Sequence, residues 1–263
     1  RDGTLLVADA DRDRVVRYTL DGEGVAAWGG QGFGGGTFEP GCCIGPSSVV
    51  ESDLGPVFVA DDGLGLVQWF DPDGTYVAEW GGVARQPGRF NHPADVAIAA
   101  DGDLIVLDSD NFRIQRVAPD GTPRWTVGHY GDGEVEFGAD VDSSYPSQRG
   151  PTSLAIGPTR PMRPGVEPFD DELVVVLDVW NRRIERYLAA GGVYLDIFPD
   201  TFSVPLEVPG TRDVHAVIAV GPDGAPNAGS IVLLAPESGR VIRYADDMTI
   251  EAEWSLDDAF VSP

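Results

Sequence analysis

Few residues in this chain have the types and spacing that do chemistry. Three histidines, His92, His129 and His215, are the candidates for a metal. Three imidazoles around one open position make a catalytic zinc site. Each of the three falls beside a segment that reads as a connection, and three unrelated surface or channel histidines are the simpler reading. The run Asp9-Ala-Asp11-Arg-Asp13 invites calcium but lacks the loop spacing and the closing bidentate Glu of an EF-hand. No cofactor is therefore expected, with Ca or Zn as the alternatives. Cys42 and Cys43 are adjacent and cannot staple distant segments. They are either two free thiols or a strained vicinal disulfide. Gly-x-Ser-x-Gly and His-Glu-x-x-His are absent. The glycine run from Gly29 to Gly36 leads to Phe38-Glu-Pro40 rather than into a helix, so it is not read as a phosphate cradle.

A second kind of chemistry is ionic. Asp9 and Arg14, Asp108 and Arg113, and Asp178 and Arg183 keep one spacing. A recurring opposite-charge pair that pins a loop explains this without any metal. Carboxylates gather at Asp132, Glu134, Glu136, Asp140 and Asp142, in a Gly-rich stretch over residues 129–150 that reads as an inserted loop. Long connections often carry function, so this loop is the candidate contact for a protein partner. Trp69 stands where Arg17, Arg116, Arg186 and Arg243 stand elsewhere. An aromatic there packs against a neighbouring element or against a partner.

The composition narrows the partners. Of 263 residues, 43 are acidic and 18 basic, all of them Arg, for a net charge of −25. Such a surface does not hold nucleic acid, where affinity comes from neutralising phosphates with Lys and Arg. It should also avoid anionic membranes, and the aliphatic run from Leu173 to Leu177 is far too short to span a bilayer. The 34 Gly and 21 Pro imply many turns and few long helices.

The elements that must position these residues show as a repeat. Apolar strands end at Leu-Leu-Val-Ala-Asp9, Val-Phe-Val-Ala-Asp61, Leu-Ile-Val-Leu-Asp108, Val-Val-Leu-Asp178 and Ile-Val-Leu-Leu-Ala235. The intervals are 52, 47, 70 and 57 residues. Trp28, Trp80, Val127, Ile197 and Trp254 keep the same four intervals. A following strand recurs as Arg14-Val-Val-Arg-Tyr18, Leu66-Val-Gln-Trp-Phe70, Arg113-Ile-Gln-Arg-Val117, Arg183-Ile-Glu-Arg-Tyr187 and Arg240-Val-Ile-Arg-Tyr244. Asp-Gly pairs at 21–22, 73–74 and 120–121 supply hairpin turns. A four-stranded sheet of about 50 residues cannot bury both faces alone, whereas sheets packed radially shield one another. The expected fold is all-β: a single propeller domain of four-stranded antiparallel blades over residues 1–263. Its repeats fall at about 1–30, 31–82, 83–128, 129–199 and 200–257.

Phe90, Pro93, Asp108, Asn111, Arg113, Ile114, Asp120 and Gly121 form a pattern that resembles the NHL repeat. Pro151, Asp178, Asn181, Arg183 and Ile184 keep part of it. The resemblance implies a β-propeller. It spans protein-binding scaffolds, RNA-binding modules and a metal-dependent amidating lyase. The lyase's His directly after the repeat Pro is replaced here by Ser47, Ala94, Thr152 and Ala216. Because the pattern opens just before a second strand and closes at Phe260-Val-Ser-Pro263, the chain is expected to be part of a longer, six-bladed and exported protein, extracellular or periplasmic. The expected function is a non-enzymatic binding or structural scaffold that contacts other proteins. The alternative is a metal-dependent lyase or hydrolase with its site at the central channel.

Overall fold

The computed structural model describes residues 3–39, 45–138, 150–158, 171–181, 183–198, 217–221, 230–235, 239–245 and 249–255. The chain divides into two compact units, one made mainly of residues 1–127 and one that starts at Gly128. In the first unit, β1 (Thr4–Asp9), β2 (Arg14–Thr19) and β3 (Gly24–Gly29) form a three-stranded sheet. A second sheet holds β4 (Pro46–Glu51), β5 (Val57–Asp61), β6 (Leu66–Phe70) and β7 (Tyr76–Gly81). A third holds β8 (Pro93–Ile98), β9 (Leu104–Asp108), β10 (Arg113–Val117) and β11 (Pro123–Val127). The second unit begins with a short parallel ladder, β12 (His129–Tyr130) on β13 (Glu136–Phe137). Its fourth sheet holds β14 (Ser153–Pro158), β15 (Glu172–Asp178), β16 (Arg183–Leu188) and β17 (Val193–Phe198). Its fifth holds β18 (Val217–Val220), β19 (Ile231–Ala235), β20 (Arg240–Tyr244) and β21 (Ile250–Ser255). All five sheets are antiparallel meanders, which is the construction of a β-propeller blade. Among the described residues there is no α-helix, only single 3₁₀ turns at Ala10–Arg12 and Ser109–Asn111.

The apolar run of the second strand has a direct reason. Side chains alternate across a strand, so one strand feeds two cores. In β5, Val57 and Val59 join Val15, Phe38 and Phe70, while Phe58 and Ala60 join Phe90, Val96 and Val106. In β15, Val175 and Leu177 pack with Ile218, Leu233 and Ile242 of the fifth sheet. Val57 and Val59 are 0 % exposed, whereas Leu5 and Val7, at the same register in β1, are 54 % and 41 % exposed. No described sheet of that unit covers that face of β1.

All five sheets break register at one place between their last two strands. The shifts fall at Arg17/Tyr18, Trp69/Phe70, Arg116/Val117, Arg186/Tyr187 and Arg243/Tyr244. Each is a bulge that strengthens twist just before the hairpin closes. The Asp-Gly turns have a second duty. A Cβ on Gly121 would lie 2.4 Å from Trp80, and one on Gly74 2.6 Å from Trp28. Each indole lies against the turn backbone of the next sheet, and both glycines have positive φ.

The connection between one sheet and the next repeats as well. Gln31 bridges Phe38 and Val83 bridges Phe90, both in parallel, just as β12 pairs β13 through Tyr130 and Phe137. Phe38, Phe90 and Phe137 are all fully buried. This corrects the expected insertion at 129–150. Residues 128–137 form the same short connection that the two preceding repeats use, and its phenylalanine sits in the same place. The extra length comes after Phe137: two residues lie between Phe90 and Pro93, but 13 lie between Phe137 and Pro151.

Candidate functional site

The Asp–Arg spacing seen in the sequence is a clamp on these connections. In the third sheet, Arg113 Nε donates to Asp108 at 2.5 Å. Its two terminal nitrogens donate to the carbonyls of Arg85 (2.7 Å), Gln86 (3.2 Å) and Arg89 (2.9 Å). Gln115 Nε2 donates to Asp108 (2.9 Å) and to the Arg89 carbonyl (2.7 Å), while its Oε1 accepts from Gly88 N. Asn111 Nδ2 donates to Asp108 and to the Ala84 carbonyl. One guanidinium thus holds the connection by its backbone, and Asp108 is fully satisfied.

The other sheets vary the clamp. In the first sheet Arg14 Nε donates to Asp9 at 2.9 Å, with Arg12 nearby. Desolvation pushes Asp9 up, but the bonds from Arg14 and Arg12 outweigh it and hold its carboxyl below the usual range. In the second sheet Leu66 occupies the arginine position. Asp61 is buried, its donors among the described residues are Leu64 N and Gln68 Nε2, and burial pushes it up to about 6. In the fourth sheet Arg183 donates to the carbonyls of Asp132 (2.6 Å), Gly133 (2.9 Å) and Glu136. Its Nε stands 3.7 Å from Asp178, which instead accepts from Gly138 N (3.1 Å) and Asn181 Nδ2 (2.7 Å).

The histidines do not converge. His92 opens the third sheet in a left-handed conformation, φ 52°. The backbone is held there because Ser109 N and Asp110 N donate to the carbonyls of His92 and Asn91. His92 Nδ1 lies 3.0 Å from Asp62 Oδ1, and its Nε2 lies 3.8 Å from Asp110 Oδ2. The bond to Asp62 raises the imidazole above its ordinary value against the pull of desolvation, and the charges of Asp62, Asp110 and Glu39 add to it. This half-buried imidazole between two carboxylates can hold and release one proton. Sequence reasoning singled out His92 but not Asp62, Asp110 or Glu39. Asp110 lies two residues past the recurring Asp108, and that is the signal that could have found it.

His129 is exposed and pairs with Glu136 at 2.9 Å. His215, Asp140, Asp142, Cys42 and Cys43 lie outside the described residues. Among the described residues no group of three or more His, Cys, Asp or Glu side chains could hold a metal ion. Asp132 and Glu134 are exposed on the connection clamped by Arg183. Glu136 is more enclosed, and its carboxylate is held below the usual range chiefly by the amide of Gly133, with His129 assisting. Trp69 is partly buried and packs on Phe58 at 6.0 Å, against the core that holds Val67 and Val96.

Against known proteins, the NHL repeat family matches residues 90–117, the span from the buried Phe90 to the end of β10. No curated protein matches the sequence. Among solved structures, a streptogramin B lyase superposes with a TM-score of 0.56 at 14% identity, over 97% of this chain and 65% of that one. A virginiamycin B lyase from Staphylococcus aureus gives 0.56 at 15%, over 97% and 67%. A gluconolactonase from Xanthomonas campestris gives 0.57 at 17%, over 95% and 71%. The chain thus spans just under two thirds of the streptogramin B lyase, and at these identities the likeness is one of fold. Five meander sheets, their repeated clamps and the matched repeat lead to one conclusion: the chain is a β-propeller that carries an NHL repeat.

Proposed function

We propose that the chain is a non-enzymatic binding module that presents rigid connections to a protein partner, and that the partner's surface is basic. One observation carries this reading. Arg183 grips the connection through the carbonyls of Asp132, Gly133 and Glu136, which leaves the carboxylates of Asp132 and Glu134 exposed on a fixed backbone. The arginines are widely spent this way. Among the described residues, ten arginines stand in ion pairs with the chain's own carboxylates, including Arg17 with Glu51 at 2.8 Å and Arg186 with Asp196 at 2.5 Å. A fixed acidic surface selects partners by charge complementarity and speeds their encounter. The test is affinity capture from the source cells with the wild type and with Asp132→Asn/Glu134→Gln. Recovery of one partner should fall at least tenfold in the double variant and fall again at 0.5 M salt. Equal recovery with the double variant would overturn the reading.

A second reading, a lyase or hydrolase, draws on His92 as a proton carrier between Asp62 and Asp110, and on the fold shared with two lyases and a lactonase; a metal would need ligands beyond these three side chains. Its test is turnover of streptogramin B and lactone substrates by purified protein with divalent metal. Activity lost in His92→Ala would establish it, and no turnover would end it.

A further inference from the structure

The fourth sheet departs from its sister clamps at two positions that meet at one connection. Where the second and third sheets carry Gln68 and Gln115, it carries Glu185. Each glutamine donates its amide to the clamp aspartate and to a carbonyl of the connection, and accepts from a backbone amide, Gly36 N or Gly88 N. The residue corresponding to those glycines is Val135. Gly36 and Gly88 have φ of 81° and 78°, and Val135 is held at 61°. A β-branched residue in that region is strained.

The charge count is the second departure. Asp108 with Arg113 is a balanced pair beside a neutral Gln115. Asp178 and Glu185 are both 0 % exposed and share the single guanidinium of Arg183, itself 4 % exposed. That guanidinium cannot serve both carboxyls and the backbone. Arg183 Nη2 lies 2.7 Å from Glu185 Oε1 without hydrogen-bond geometry, and Arg183 Nε and Glu185 Oε1 are both left without a hydrogen bond. Among the described residues, the other groups around the pair bring no further cation. Tyr187 of β16 donates its hydroxyl to Glu185 Oε2, Tyr194 stacks edge-on against Tyr187 at 5.7 Å, and Glu134 on the connection adds negative charge. Arg186 is occupied by Asp196 of β17, and the opposite face of β15 packs apolar residues. Two buried carboxylates against one cation leave one uncompensated charge, which burial does not tolerate.

We propose that Asp178, Glu185 and Arg183 retain one proton between them, and that its loss to water loosens the connection at 132–137, making it a pH-sensitive latch. Retention restores the neutral balance of the sister clamp, so that Arg183 stays on the three carbonyls that hold Val135 in its strained conformation. When the proton leaves, the second carboxylate competes for Arg183 and the strain at Val135 favours opening. Burial raises Asp178 and Asp108 alike, and what is particular to the fourth sheet is Glu185, which burial pushes up to about 7, so the latch releases across neutral pH.

The test compares the wild type with Glu185→Gln, which installs the residue the sister sheets already use. Hydrogen exchange of the amides at 131–138, corrected for intrinsic rate, should show opening that increases on the order of tenfold from pH 5.5 to pH 8 in the wild type. In Glu185→Gln it should stay level, and taking the ratio of the two proteins cancels the titrations of Asp61 and His92. Val135→Gly should reduce opening at every pH while keeping the wild-type slope. The same slope in Glu185→Gln as in the wild type would overturn the proposal. So would ¹³C carboxyl titration of the wild type showing both Asp178 and Glu185 ionised below pH 5, a measurement that needs no variant to fold.

Discussion

Arg113 ties four residues together with one guanidinium. It neutralises Asp108 and holds three carbonyls of the preceding connection at once. Arg113→Ala strands a carboxylate that is 0 % exposed, which costs about 3–5 kcal/mol. Denaturant unfolding should show that loss as a lower midpoint, and Arg113→Lys should recover little of it, because a point charge cannot span the fork. Asp61 makes the converse case, since Leu66 gives it no cation. Its folded value of about 6 lies above its ordinary 3.8, so the folded state binds more protons than the unfolded chain between these values. Stability is therefore fully present at low pH and is lost as pH rises through about 6. In Asp61→Asn, which stays neutral like the protonated acid, this slope disappears: the variant's stability relative to the wild type should rise between pH 4 and pH 7 in paired thermal melts.

At the scale of the element, the connection between sheets depends on its buried phenylalanine. Phe90 is 0 % exposed and joins Phe58, Val96 and Val106 in one core. Phe90→Ala should cost about 3–5 kcal/mol through lost burial and a cavity, read from the urea midpoint at unchanged slope. The hairpin that closes the third sheet depends on Gly121. Its φ is 82°, and an added methyl would meet the Trp80 ring. Gly121→Ala pays for both the left-handed backbone and the displaced indole, so it should destabilise by more than about 1 kcal/mol. Gly102→Ala, in a turn with similar φ (91°) and open space around it, gives the backbone cost alone. Comparing the two in calorimetry separates the steric part.

Over the whole molecule, charge dominates. A net charge of −25 repels itself, and the arginines are largely drawn inward to carboxylates and carbonyls. Long-range repulsion is screened within about 8–10 Å at 0.10–0.15 M salt. Thermal midpoints should therefore rise between 0.02 and 0.2 M NaCl. A midpoint that falls would mean that the internal ion pairs, rather than surface repulsion, carry the salt response.

Strand identity, the interval between sheets and the Asp–Arg clamp were legible in the residues themselves. Each is a local pattern repeated in register: an apolar run ending in Asp, a turn, then Arg at fixed spacing. The candidate site was legible only at His92. Its partner Asp62 comes from the preceding repeat, 30 residues away, and no local period records which separated side chains will meet. The inserted length was misplaced for the same reason. Residues 128–137 look like excess acidic loop until the parallel pairing of β12 with β13 places Phe137 where Phe90 sits in the sister connection. The surplus charge at Glu185 likewise appears only when packing brings it beside Asp178 and a single arginine. Periodicity reports which face of a strand is buried, but three-dimensional packing alone decides which charges must share that burial.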